Sequence, residues 1–114
     1  MFRIRKEQKA AFREDAIHDF ENRMVAHVRR CLVEHWETLG DDALREVIRM
    51  GTERADGFGI VAERDVCKFV DLMLVFGTDF DRRCAWAREI LEAAAPTDPA
   101  VKMRRLFQRA GDEK

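Results

Sequence analysis

Between residues 6 and 36 the apolar side chains come at steps of three and four: Phe12, Ala16 and Ile17, Phe20, Met24, Val28, Cys31 and Leu32, Trp36. That period gathers them on one face of an α-helix and leaves the charged residues on the other. Neither Gly nor Pro interrupts the run, which predicts one long helix or two nearly collinear ones, closed by Gly40 as a C-terminal cap. Asp41 or Asp42 is expected to cap a second helix, whose buried stripe is Leu44, Val47, Ile48, Gly51, Ala55 and Phe58. A glycine inside a helix costs about 1 kcal/mol relative to alanine. Gly51 on the stripe therefore points to a close helix crossing.

Gly57-Phe58-Gly59 stops this helix. Residues 63–76 form the most apolar segment, with Val66, Phe69, Val70, Met73 and Leu74 at helical spacing, and belong at the centre of the core. Gly77-Thr78-Asp79 is a stop and a new start, followed by a helix over 81–95 that carries Trp86, Ile90, Leu91 and Ala94. Pro96-Thr97-Asp98-Pro99 is a break, with Thr97 or Asp98 as cap and Pro99 at the first helical position of a short basic helix within 97–110. The one strand-like alternation is Phe2-Arg3-Ile4-Arg5, read as an extended arm over 1–5. The expected fold is all-α: a single-domain compact bundle of four to five helices, with a long first helix over 6–36 and core helices over 41–95.

A length of 114 residues suits one such domain. The absence of serine removes serine nucleophiles, and three widely spaced cysteines, Cys31, Cys67 and Cys84, fit free thiols in a reducing compartment. No apolar run reaches the 18 or so residues that a membrane span needs, and no apolar stretch follows the charges at the start. These points give a cytoplasmic expectation.

The net charge is -1, but it is unevenly placed. Arg3, Arg5, Lys6, Lys9 and Arg13 make the start basic against Glu7 alone, and Lys102, Arg104, Arg105 and Arg109 make the last helix basic, while the body between is acidic. The ends either dock on that body or meet an acidic partner.

Candidate chemistry is sparse. Gly57-Phe58-Gly59-Ile60-Val61-Ala62 matches a dinucleotide fingerprint in letters only, since that motif works between a strand and a helix and here a helix precedes it. His27, Cys31 and His35 fall four apart on one helix face, and imidazole and thiolate are good zinc ligands. The outer two would lie about 12 Å apart on a straight helix, so one ion would need two of them plus donors from another helix, and no such donor pair stands out. Asp15 and His18 echo half of a di-iron motif whose second copy is missing. Asp79 and Asp81 read as helix-start carboxylates, and Cys67 and Cys84 as small core residues. No catalytic residue, cofactor or metal is expected.

Three stretches together carry a resemblance: residues 2–8 (FRIRKEQ), residues 19–29 (DFENRMVAHVR) and residues 57–81 (GFGIVAERDVCKFVDLMLVFGTDFD). The chain resembles a family of small helical proteins encoded in bacterial type VI secretion and toxin gene clusters. The resemblance implies an accessory role, as adaptor, chaperone or immunity protein, and brings no catalytic motif. In that family the helix after the Gly-x-Gly-Ile turn tends to begin with Ser or Thr, where this chain has Ala62.

The expected function is thus a non-enzymatic protein-interaction module, with Phe2, Arg3, Ile4, Arg5, Arg104 and Arg105 as partner-binding residues. The alternative is a helical DNA-binding regulator using the basic C-terminal segment, disfavoured by the acidic body and by the lack of helix-turn-helix spacing. A metal-binding or enzymatic bundle built on His27 and Cys31 comes third.

Overall fold

The computed structural model describes residues 6–93 and 98–113, with side chains from residue 16 onward. The arm over 1–5, and with it Phe2, Arg3, Ile4 and Arg5, lies outside the described residues. Among those described there is no strand, and the fold is all-α. Six helices follow in chain order: α1 (Lys6–Cys31), α2 (Val33–Gly57), α3 (Glu63–Phe76), α4 (Phe80–Arg83), α5 (Ala85–Glu92) and α6 (Pro99–Glu113).

Six exceeds the expected four to five because the helix expected over 81–95 is divided by one residue, while the boundary between the first two helices moves from Gly40 to Leu32. The run over 6–36 breaks at Leu32, whose backbone (φ -132°, ψ 53°) leaves the helical region, and Val33 starts α2 at once. Leu32 keeps its N–H bond to the Val28 carbonyl at 2.8 Å and its own carbonyl accepts from His35 and Trp36, so little hydrogen bonding is lost. The run over 81–95 breaks in the same way at Cys84 (φ -85°, ψ 116°), whose N–H still bonds the Phe80 carbonyl at 3.0 Å. Neither site has a Gly or Pro to announce it.

Gly40 does change the chain's course. Its φ of 82° and ψ of 168° kink α2, a conformation that costs a side-chain-bearing residue and suits glycine. The kink is bridged by the Trp36 indole N–H, which donates to Asp41 at 2.8 Å while the Arg29 guanidinium stacks 4.9 Å above the same ring. Asp41 is therefore spent on the indole, and neither it nor Asp42 caps the helix as expected.

Most other stops and starts fall where the sequence puts them, but α5 ends at Glu92, short of the expected 95, because Ala93 is already extended (φ -62°, ψ 139°). Gly57-Phe58-Gly59 ends α2 and Gly77 ends α3. At α6 it is Asp98 that caps, its Oδ1 accepting the Ala100 N–H at 3.0 Å, with Pro99 first in the helix. This helix runs to Glu113, beyond the expected end at 110.

Helix α3 packs against α1, α2, α4 and α6, as its apolar composition requires. Its Val66, Phe69, Val70 and Met73 meet Met24 and Val28 of α1, Leu44, Ile48 and Ala55 of α2, and Met103 and Leu106 of α6 in one buried core. Aromatic rings extend the core toward α4 and α5, with Phe69 against Phe80 at 5.2 Å and Phe76 edge-on to Trp86 at 5.4 Å. Two buried carboxylates tie α2 to its neighbours. Glu21 of α1 accepts from Arg49 at 2.8 Å, and Asp81 of α4 pairs with Arg54 at 3.0 Å, which also donates to the Thr78 carbonyl. Among the described residues no helix is long and apolar enough to cross a membrane.

Candidate functional site

Residues four apart on a helix stack on one face. His27 and Cys31 do so near the end of α1, and Cys67 and Asp71 do so in the middle of α3. Packing of α1 on α3 turns the two faces together. His27 Nε2 lies 2.9 Å from Asp71 Oδ2 and 3.2 Å from Oδ1, a bidentate approach across the helix interface. One donor atom from each of His27, Cys67 and Asp71 lies within 4.8 Å of the other two.

All three residues are half-buried. Burial raises the Asp71 pKa above its ordinary value, and the bond to His27 and its charge pull it partly back. The Cys67 thiol is pushed up to about 11, first by burial and then by the negative charge of Asp71 and the nearby Cys31, with Lys68 opposing. The assembly is not visible in the sequence so long as His27 and Cys31 are set only beside His35. The signal was present as a second pair with the same spacing of four, Cys67 and Asp71.

A Cys-His-Asp set invites comparison with cysteine nucleophile sites, from which this one differs in two respects. A catalytic thiol is hydrogen-bonded to its base and has a depressed pKa. Here no hydrogen bond joins Cys67 to His27 among the described residues, and the thiol pKa is raised.

The cluster opens onto a groove between the end of α1, α3 and α6. His27, Cys31 and Asp71 stand at one end, and Leu32, Leu72, Val75, Phe76, Phe107 and Ala110 line the rest. Its cavity of about 260 Å³ falls below the usual range for small-molecule sites. Val75 and Phe107 are 37% and 39% exposed, large apolar side chains facing solvent on the same groove. The Lys68 ammonium sits 5.6 Å over the Phe107 ring, and Arg104 lies one helical turn before it.

Arg104 and Arg105 are exposed, and among the described residues neither makes an ion pair. Arg104 is placed on the Phe107 side of α6, whereas Arg105 lies toward the side where Lys102 donates to the Leu91 carbonyl at 3.1 Å. The other sequence candidates disperse. His35 lies beyond the break at Leu32 and outside the cluster. His18 is exposed, and the side chain of Asp15 lies outside those described. Asp79 is held below the usual carboxylate range by Arg83, at 3.1 Å, while Asp81 is taken by Arg54, so the two aspartates never act as a pair. The Gly57-Phe58-Gly59 segment follows a helix and buries Ile60, which makes it a helix stop. No protein-family model, no curated protein and no solved structure matches this chain.

Proposed function

We propose that this protein is a non-enzymatic interaction module whose groove between α1, α3 and α6 receives an amphipathic helix of another protein. The observation that carries the reading is the joint exposure of Val75 and Phe107 on an apolar groove. Apolar side chains facing solvent on such a groove are the usual anchors for a docked helix. Lys68 and Arg104 put positive charge beside the groove, with Arg105 farther round α6, so the fitting partner carries acidic residues beside its apolar stripe. This keeps Arg104 and Arg105 as contact residues, with Arg104 nearer to the groove. The resemblance to helical proteins of secretion and toxin clusters supports an accessory role in such a system, as adaptor, chaperone or immunity protein.

The test is capture of the products of the neighbouring genes by the full chain and by Val75→Asp and Phe107→Asp. Both positions are exposed, so melting is expected to change little while capture is lost. Capture that survives both substitutions overturns the groove as the contact surface. A self-associated form that disappears with Phe107→Asp, seen by sedimentation, would assign the groove to a second copy instead. Retardation of duplex DNA at moderate salt, lost on substituting Arg104 and Arg105, would favour the regulator reading.

A further inference from the structure

The geometry points to a zinc-type metal site at the α1–α3 interface, held by His27, Cys67 and Asp71, with Cys31 as the fourth ligand. It does not rest on the groove's having a protein partner. Three donors of different chemistry, from two helices, already converge to within 4.8 Å. Four-coordinate zinc bonds of about 2.0–2.3 Å place neighbouring donors roughly 3.3–3.6 Å apart. The widest of these three separations therefore closes by about 1.2–1.5 Å, and Cys31, which stands outside the 4.8 Å group, moves in as well. The His27–Asp71 pair already stands closer than this, so between these two the ion replaces a hydrogen bond.

The donor set selects the metal class. Imidazole and thiolate favour zinc and its neighbours over magnesium or calcium, which want oxygen alone. Cys31 lines the same cavity as His27 and Asp71 and stands one helical turn beyond His27. A second cavity, whose lining includes Phe20, Arg23, His27, Glu63 and Cys67, also touches the cluster. The site thus has an entry path. Binding takes the lone pair of His27 Nε2, with the ring proton carried on Nδ1, one oxygen of Asp71 and the two sulfurs as thiolates. The proton of the Nε2–Asp71 hydrogen bond is given up while Nδ1 holds the ring proton, the two thiol protons leave to solvent, and nothing is oxidised.

The experiment uses the full chain, made without a metal-binding tag, kept reduced and stripped with chelator. Cobalt(II) is titrated in, followed by zinc. One equivalent of cobalt is expected to bind, with the ultraviolet charge-transfer absorption of a cobalt–thiolate bond, and zinc is expected to displace it. His27→Ala, Cys67→Ser, Asp71→Asn and Cys31→Ser should each weaken binding by at least about tenfold. Cys84→Ser, at the α4–α5 junction, should leave it unchanged. Zinc should also protect Cys67 and Cys31 of the unsubstituted protein from alkylation, and leave Cys84 reactive. That measurement needs no variant to fold. Absence of saturable binding, or binding without thiolate absorption, overturns the site. Unchanged affinity in both Cys67→Ser and Asp71→Asn does the same, and unchanged affinity in Cys31→Ser alone removes Cys31 as the fourth ligand.

Discussion

Ala62 holds the N-cap position of α3 with extended backbone (φ -68°, ψ 134°) and offers no side-chain acceptor. The first N–H groups of that helix lack the bond that a cap normally supplies. The side chain is exposed, so a hydroxyl meets no burial cost there. Ala62→Ser is expected to stabilise the fold by roughly 0.5–2 kcal/mol, read as a rise in denaturation midpoint. The Cys67 thiol gives a second test at this scale, in metal-free protein. Unfolded, it loses its proton near 9.0, and folded near about 11. The folded state holds the proton more tightly, so the Cys67 contribution to stability is lost as pH rises from the first value toward the second. Alkylation of Cys67 at pH 8 should be slow beside that of exposed Cys31, and should accelerate steadily to about pH 11. Comparable rates for the two thiols at pH 8 would contradict the burial of Cys67.

Between elements, α2 and α3 approach closely at Gly51. A Cβ built there would lie 2.7 Å from Val70 Cγ2 and 2.8 Å from Met73 Sδ. The Met73 thioether can swing away, but the branched Val70 has one favoured rotamer in a helix and cannot. Overpacking of this kind costs about 1–3 kcal/mol, against about 1 kcal/mol of helix propensity gained by alanine. Gly51→Ala should therefore lower the thermal midpoint, and a rise would show that α2 and α3 can separate at no cost. The Arg54–Asp81 pair is the other joint. Asp81 is 3% exposed, and Arg54 supplies its charge partner from α2. Arg54→Met leaves that carboxylate buried and alone, with an expected loss of about 3–5 kcal/mol. Adding Asp81→Asn should recover part of the loss, because the penalty comes from the orphaned charge. Additive losses in the double variant would place the cost elsewhere.

Across the whole molecule, α3 is the element that touches most of the others, and its residues Phe69, Val70 and Met73 are almost fully buried. Amides there should exchange with solvent only on global unfolding, the slowest in the chain, and faster exchange in Phe69–Met73 than in α6 would show that the core is organised differently. The molecule is only 19 Å across its shortest axis, about two helix diameters. A slab this thin cannot cover every side of its central helix, which is why Cys67, Asp71 and Val75 of α3 remain within reach of solvent or a ligand. Hydrophobic period and glycine placement were enough to give the all-α class, the bounds of α3, the stops at Gly57-Phe58-Gly59 and Gly77, the crossing at Gly51 and the Asp98-Pro99 start of α6, because each is a local consequence of residue type. The breaks at Leu32 and Cys84 were not legible, since one residue can leave the helical region without Gly or Pro when tertiary packing favours the turn and the flanking hydrogen bonds survive. The cluster of His27, Cys67 and Asp71 was not legible for a different reason: spacing shows which residues share a helix face, but only the docking of α1 on α3 decides which two faces meet.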